Sequence, residues 1–186
     1  MKWLRCLAVF WPVLLASVCQ AQPKAAPDLA GGSFCLEPAL LVPVGDLQKS
    51  LQPAFGPNLD FDLGLSPRVS FIFGLSYYEM LDPQNPDFRF RMVPGWVGLK
   101  FKDHWPPSVE FYWEVAASGY YEKAYDIGAS TGSQENLDGG LVLGSGYDLW
   151  FTRWLLGGVD VRYHLVAEQG TIFPFVQFGA RLGIRG

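Results

Sequence analysis

The chain has 186 residues and a formal net charge of −4, with 18 acidic against 14 basic side chains, which argues against a nucleic-acid-binding surface. Only 17% of it is charged, below the roughly 25% of an average soluble domain, while 16% is aromatic and 49% hydrophobic. With 21 glycines and 14 prolines, that composition suits many short strands joined by turns better than it suits helices.

Residues 1–21 read as an export signal. Lys2 and Arg5 make the positive start, Cys6 to Cys19 the apolar stretch, and small residues precede a cut after Ala21. Pro12 interrupts the stretch, which falls short of the ~20 residues a membrane-spanning helix needs. Val18 argues against a lipoprotein cysteine at Cys19. Two of the three cysteines lie in this segment, so Cys35 is left without an intramolecular partner in an oxidising compartment. The fold must then rest on its hydrogen-bond ladder and packing. Residues 22–33, rich in alanine, proline and glycine, read as a flexible lead-in to a folded domain over 34–186.

Eight strands are expected from there, over about 34–43, 57–65, 69–79, 88–102, 108–121, 139–152, 154–166 and 171–185. Their signal is period-2 alternation. The second strand sets Leu59, Phe61, Leu63 and Leu65 against Asp60, Asp62 and Gly64. In the fifth, Val109, Phe111, Trp113, Val115 and Ala117 oppose Glu110, Tyr112, Glu114 and Ala116. The seventh sets Val159, Val161 and Tyr163 against Asp160, Arg162 and His164. The last sets Val176, Phe178, Ala180 and Leu182 against Gln177, Gly179, Arg181 and Gly183. In the fourth the parity changes midway: Phe88, Phe90 and Met92 alternate with Arg89 and Arg91, whereas Val97, Leu99 and Phe101 alternate with Lys100 and Lys102. A β-bulge at Pro94-Gly95 would reconcile the halves.

The polar face carries charges of both signs and many mid-strand glycines. A solvated face rarely does; a narrow lumen needs both. The apolar face is therefore expected to meet lipid, and Asp60, Asp62, Lys100, Glu110, Glu114, Asp160, Arg162 and Arg181 to form a polar network inside. Long connections alternate with tight ones, as in outer-membrane barrels. The expected fold is all-β, an eight-stranded antiparallel up-and-down transmembrane β-barrel. Trp96, Trp105, Trp113, Tyr147, Trp150, Trp154 and Tyr163 are expected to belong to interfacial girdles.

The stretches PALLVPVGDL (38–47), FIFGLSYYEM (71–80), VPGWVGLKF (93–101), VEFYWEVAASGYY (109–121), GSGYDLWFTRWLLGGVDVRYHLV (144–166) and FVQFGARLGIRG (175–186) resemble the small outer-membrane β-barrel family, the OmpA-transmembrane and OmpX-like group. The resemblance implies architecture and an outer-membrane location, and says little about activity. Lipid A deacylases, also small barrels, place a serine two residues after their histidine; here that position is Val166.

No metal-ligand spacing, phosphate loop or nucleophile elbow appears, so no cofactor and no catalysis are expected. Glu110 and Glu114, about 13 Å apart along one strand at ~3.3 Å per residue, are too distant for a glycosidase pair. An eight-stranded barrel is just wide enough for side chains to fill it. The reading is a non-catalytic, monomeric barrel of the bacterial outer membrane, embedded in its lipid, with a structural or surface-interaction role. The polar segment 122–138 is its candidate contact for an extracellular partner. The alternatives are a lipid-modifying barrel enzyme built around His164 and a soluble lipocalin-like carrier.

Overall fold

A computed structural model describes residues 31–85, 87–104, 108–126, 133–168 and 170–186. The expected export signal, nearly all of the lead-in, and Trp105 lie outside these residues. Nine hydrogen-bonded segments follow one another: β1 (Gly32–Pro43), β2 (Ala54–Ser66), β3 (Val69–Ser76), β4 (Tyr78–Leu81), β5 (Phe88–His104), β6 (Val109–Asp126), β7 (Gln134–Trp150), β8 (Leu155–Glu168) and β9 (Thr171–Arg185). Successive segments pair antiparallel, except that β3 and β4 both pair with β5, and β1 pairs with β9, so the sheet closes and leaves no edge.

β3 and β4 form a single crossing interrupted at Tyr77, so the barrel has eight staves. The break has a local cause. The unpaired step Ser76-Tyr77 lies opposite Val93-Pro94, where Pro94 has no N–H to donate, and the Tyr77 N–H turns to the Pro57 carbonyl of β2 at 3.2 Å. Between β1 and β2 a short 3-10 turn, Gly45–Lys49, opens on Gly45 at φ 70°, a left-handed conformation that suits glycine.

Three of the four connections at one end, here the upper end, are the longer ones; short turns such as Pro67-Arg68 and 151–154 close the lower end. Around the middle, the outward residues are apolar. Leu75, Val97, Leu143, Val159, Val161 and Leu182 are all exposed, and on β6 the outward belt runs from Phe111 to Tyr121. Eleven residues are what a tilted strand needs to cross hydrocarbon. The inward residues of the same segments include the charged Lys100, Glu110, Glu114, Arg162 and Arg181. This is the inverse of a lipocalin-type carrier, whose apolar side lines the cavity.

The expected bulge in the fourth strand is absent. β5 pairs with β6 in one unbroken register from Phe88↔Asp126 to His104↔Glu110, and the irregularity in the sheet falls at Gly64/Ser66 instead. Even-numbered residues of β5 point inward throughout: Lys100 and Lys102 low in the barrel, Met92 and Phe90 high in it. What changes is the surroundings. Above the apolar belt the outside is aqueous, so Arg89 and Arg91 face out and the interior turns apolar.

The segment 122–138 is also shorter as a loop than expected. Glu122, Lys123 and Ala124 pair with Asn136, Glu135 and Gln134, so β6 and β7 continue as a ladder above the belt and the connection is confined to residues 127–133. Two of the expected girdle residues face inward. Trp96 is buried beneath the Arg162 guanidinium, and Trp150 is buried at the lower end against Arg185. Trp113, Tyr147, Trp154 and Tyr163 face out.

Candidate functional site

The interior has three levels. At the bottom, Lys100 is fully buried, with its ammonium 3.0 Å from Asp62, 3.3 Å from Asp148 and 3.9 Å from Glu110. Lys102 lies beside it, 3.7 Å from Glu110 and 3.9 Å from Asp62. The Tyr112 ring is held between two cations, the Lys100 ammonium 3.7 Å from its centroid and the Arg181 guanidinium 5.1 Å away. Its hydroxyl accepts a very short bond from Arg181 and donates to Asp160. Arg181 also reaches the Cys35 sulfur at 3.4 Å and lies 3.7 Å from Asp148.

In the middle, Arg162 of β8 contacts four carboxylates on four segments. Its Nε bonds Glu114 of β6 at 2.5 Å, Nη1 bonds Glu37 of β1 at 3.1 Å, and Nη2 bonds Asp60 of β2 at 2.6 Å and lies 2.9 Å from Asp160 of β8. Such a guanidinium is stable in a dry interior because every N–H fork finds an acceptor. Glycines make the room. A Cβ on Gly179 would overlap the Glu37 carboxylate, and one on Gly144 would stand 2.5 Å from the Glu114 oxygen.

All eight residues singled out from the sequence are buried inside, in two linked groups around Lys100 and Arg162. Glu37, Asp148 and Lys102 belong with them and were not named in that network, although Glu37 and Asp148 sit at inward parity between outward apolar neighbours and Lys102 shares the polar face of Lys100. Among the described residues, seven lumen carboxylates thus meet four cations.

His164 stands above Arg162 and is fully buried. Its Nε2 meets the Gln177 carbonyl oxygen at 3.1 Å and its Nδ1 meets the Tyr120 hydroxyl at 3.1 Å. The glutamine amide is oriented by its bond to Glu37 at 2.9 Å, so Nε2 carries the proton and Nδ1 accepts from Tyr120. Tyr120 in turn accepts from Ser118 at 3.0 Å. Among the described residues no serine hydroxyl bonds the imidazole, and no route from solvent reaches a ring with no exposed surface.

The upper level is an apolar plug. Leu41, Tyr78, Met80, Met92, Tyr120 and Phe175 pack together, with Leu51 from the β1–β2 connection above them. At the upper mouth, in register with the plug residues Met92 and Tyr120, Glu122 and Asp138 face inward from β6 and β7 together with Glu168 of β8, one carboxylate oxygen of each lying within 4.8 Å of the others. Two groups therefore have the oxygen donors of a metal site. The other, Glu37, Asp60 and Asp160, already surrounds Arg162.

No protein-family model matches the sequence, and no curated protein aligns with it. Solved structures do match. Neisserial surface protein A superposes with a TM-score of 0.66 at 13% identity, over 83% of this chain and 95% of that one. OprG of Pseudomonas aeruginosa gives 0.61 at 10%, over 88% and 99%. Ail, the attachment invasion locus protein of Yersinia pestis, gives 0.55 at 14%, over 84% and 97%, and has also been crystallised with the heparin analogue sucrose octasulfate. The fold of this chain is that of the small eight-stranded outer-membrane β-barrels.

Proposed function

We propose that this protein is a sealed, non-catalytic barrel of the bacterial outer membrane, exported by its N-terminal signal, whose work is contact with a partner at the cell surface. The observation that carries this reading is the double obstruction of the lumen. A charged network crosses it at Arg162, and an apolar plug lies above. Among the described residues neither leaves a lined path for a solute, and no serine hydroxyl bonds the buried His164. The upper end faces outward in this proposal, because it bears the longer connections and the β6–β7 hairpin that rises past the belt.

The hairpin's chemistry narrows the partner. The exposed acids of segment 122–138, Asp126 and Glu135, stand against its single cation Lys123, and Lys123 is held by Glu135 at 2.6 Å. A polyanion of the kind found with Ail is disfavoured here; a basic or neutral partner suits this surface. Purified barrels reconstituted in planar bilayers should produce no conductance steps, and an epitope inserted at Ser133 should bind antibody on intact cells while one at His104 does not. Regular unitary currents, or equal labelling at both positions, would reject the reading.

A further inference from the structure

The three acids of the upper mouth differ from every other carboxylate inside the barrel. Asp60, Asp62, Glu114, Asp148 and Asp160 each lie within 4 Å of a lysine or arginine. Glu122, only 6% exposed, has no hydrogen bond and no ion pair among the described residues. A carboxylate oxygen of Asp138 is likewise buried without a partner. The cations at this height are turned away: Lys123 faces out to Glu135, and Arg91 faces out to Glu79 at 3.3 Å. On β5 the residue opposite Glu122 is Met92. Among the described residues, the donor that reaches the trio is the amide of Asn136, which bonds Glu168 at 3.2 Å.

Strand register builds the site. Asp138 sits level with Tyr120 on β6, one inward position below Glu122, and pairing through Gly139↔Ala167 puts it level with Glu168 on β8. Three like charges this close cannot all remain ionised without a counter-charge. We propose that the upper mouth binds one hard divalent cation, of the calcium class, through Glu122, Asp138 and Glu168. All three ligands are carboxylate oxygens, with no nitrogen or sulfur donor in the set, which selects Ca²⁺ over softer metals. Carboxylates that bind through one or both oxygens, with water completing six to eight ligands, satisfy calcium and not the strict octahedron of Mg²⁺.

The protonation state agrees. Burial, then the charges of Asp138 and Glu168, push the Glu122 carboxyl up to about 7.

The test is calcium binding to the full chain refolded in zwitterionic detergent, stripped with EDTA and free of lipopolysaccharide. Equilibrium dialysis with radioactive Ca²⁺ at pH 7.5 should show one ion per barrel, in the 10⁻⁴–10⁻³ M range of extracellular modules. Glu122→Gln and Asp138→Asn should each weaken it at least tenfold, while Lys123→Gln leaves it intact. Folding is checked by heat-dependent gel mobility; if the glutamine variant does not fold, Asp138→Asn carries the comparison. A folded barrel that binds no calcium, or binding that neither acid variant weakens, overturns the proposal. Both readouts are independent of orientation and of the surface-contact role, so failure here leaves that reading intact.

Discussion

Below Tyr120 and His164 the barrel turns charge inward and hydrocarbon outward. Above them the assignment reverses: Met80, Met92 and Phe175 lie inside, while Glu79, Arg91 and Lys123 lie outside. The strands keep one parity through both regions, as the unbroken β5–β6 register shows. The medium outside is what differs. Against lipid, an apolar outer face costs nothing, and the polar residues must pair with one another inside. Against water, the same sheet follows the rule of a soluble protein, with an apolar interior and solvated ion pairs on its surface.

The comparison can be broken most forcefully at Arg162. Arg162→Met leaves Glu37, Asp60, Glu114 and Asp160 facing one another without their shared cation, and removing one partner of a buried charge group costs about 3–5 kcal/mol or more. Urea unfolding in lipid vesicles should show that loss; a midpoint near that of the parent would mean that the lower network contributes little. An outward arginine separates the two media directly. Val159→Arg, within the belt, should cost about 2–4 kcal/mol. Leu81→Arg, outward but above it, should change stability by less than about 0.5 kcal/mol. Equal penalties at both positions would erase the boundary between the regions.

The plug gives a third measure. Met92→Ala empties part of a fully buried apolar cluster and should cost about 2 kcal/mol, the low end for a buried methionine. Glu122→Gln is the smallest and is readable only against pH. The Glu122 carboxyl holds its proton to about 7 in the folded barrel, against a free value of 4.5. A raised acid weakens the fold as pH climbs from 4.5 through 7, and the glutamine variant escapes that loss. In EDTA the two proteins should match at pH 4.5, with the variant the more stable at pH 8. A difference that does not grow with pH would contradict the assignment.

Much of this fold is legible in the amino-acid order because side-chain direction alternates strictly along a strand. Val159/Asp160/Val161/Arg162 states its two faces without help from the rest of the chain. The reversal on β5 reads differently, since Phe90-Arg91-Met92 against Val97-Gly98-Leu99 resembles a slipped register unless two outer media are considered. Segment 122–138 has the composition of a loop because a ladder above the belt needs no lipid-facing residues. Trp96 and Trp150 show that residue type names a customary environment while parity names the face. The meeting of Glu122, Asp138 and Glu168 depends on the pairing of three strands across two turns, which no local pattern encodes. The same holds for the convergence of Glu37 and Glu114 on one guanidinium.

That convergence has a mechanical side. Glu37 on β1 and Glu114 on β6 stand four staves apart in a ring of eight, on opposite walls, and both are bonded to Arg162. Asp60 adds a third spoke from β2. A hollow cylinder of this width yields easily to squeezing into an ellipse, whereas one braced across its diameter does not. Lateral pressure from the bilayer is thus opposed at this hub, and the wall strands can remain thin, glycine-bearing and close-packed without the cross-section collapsing.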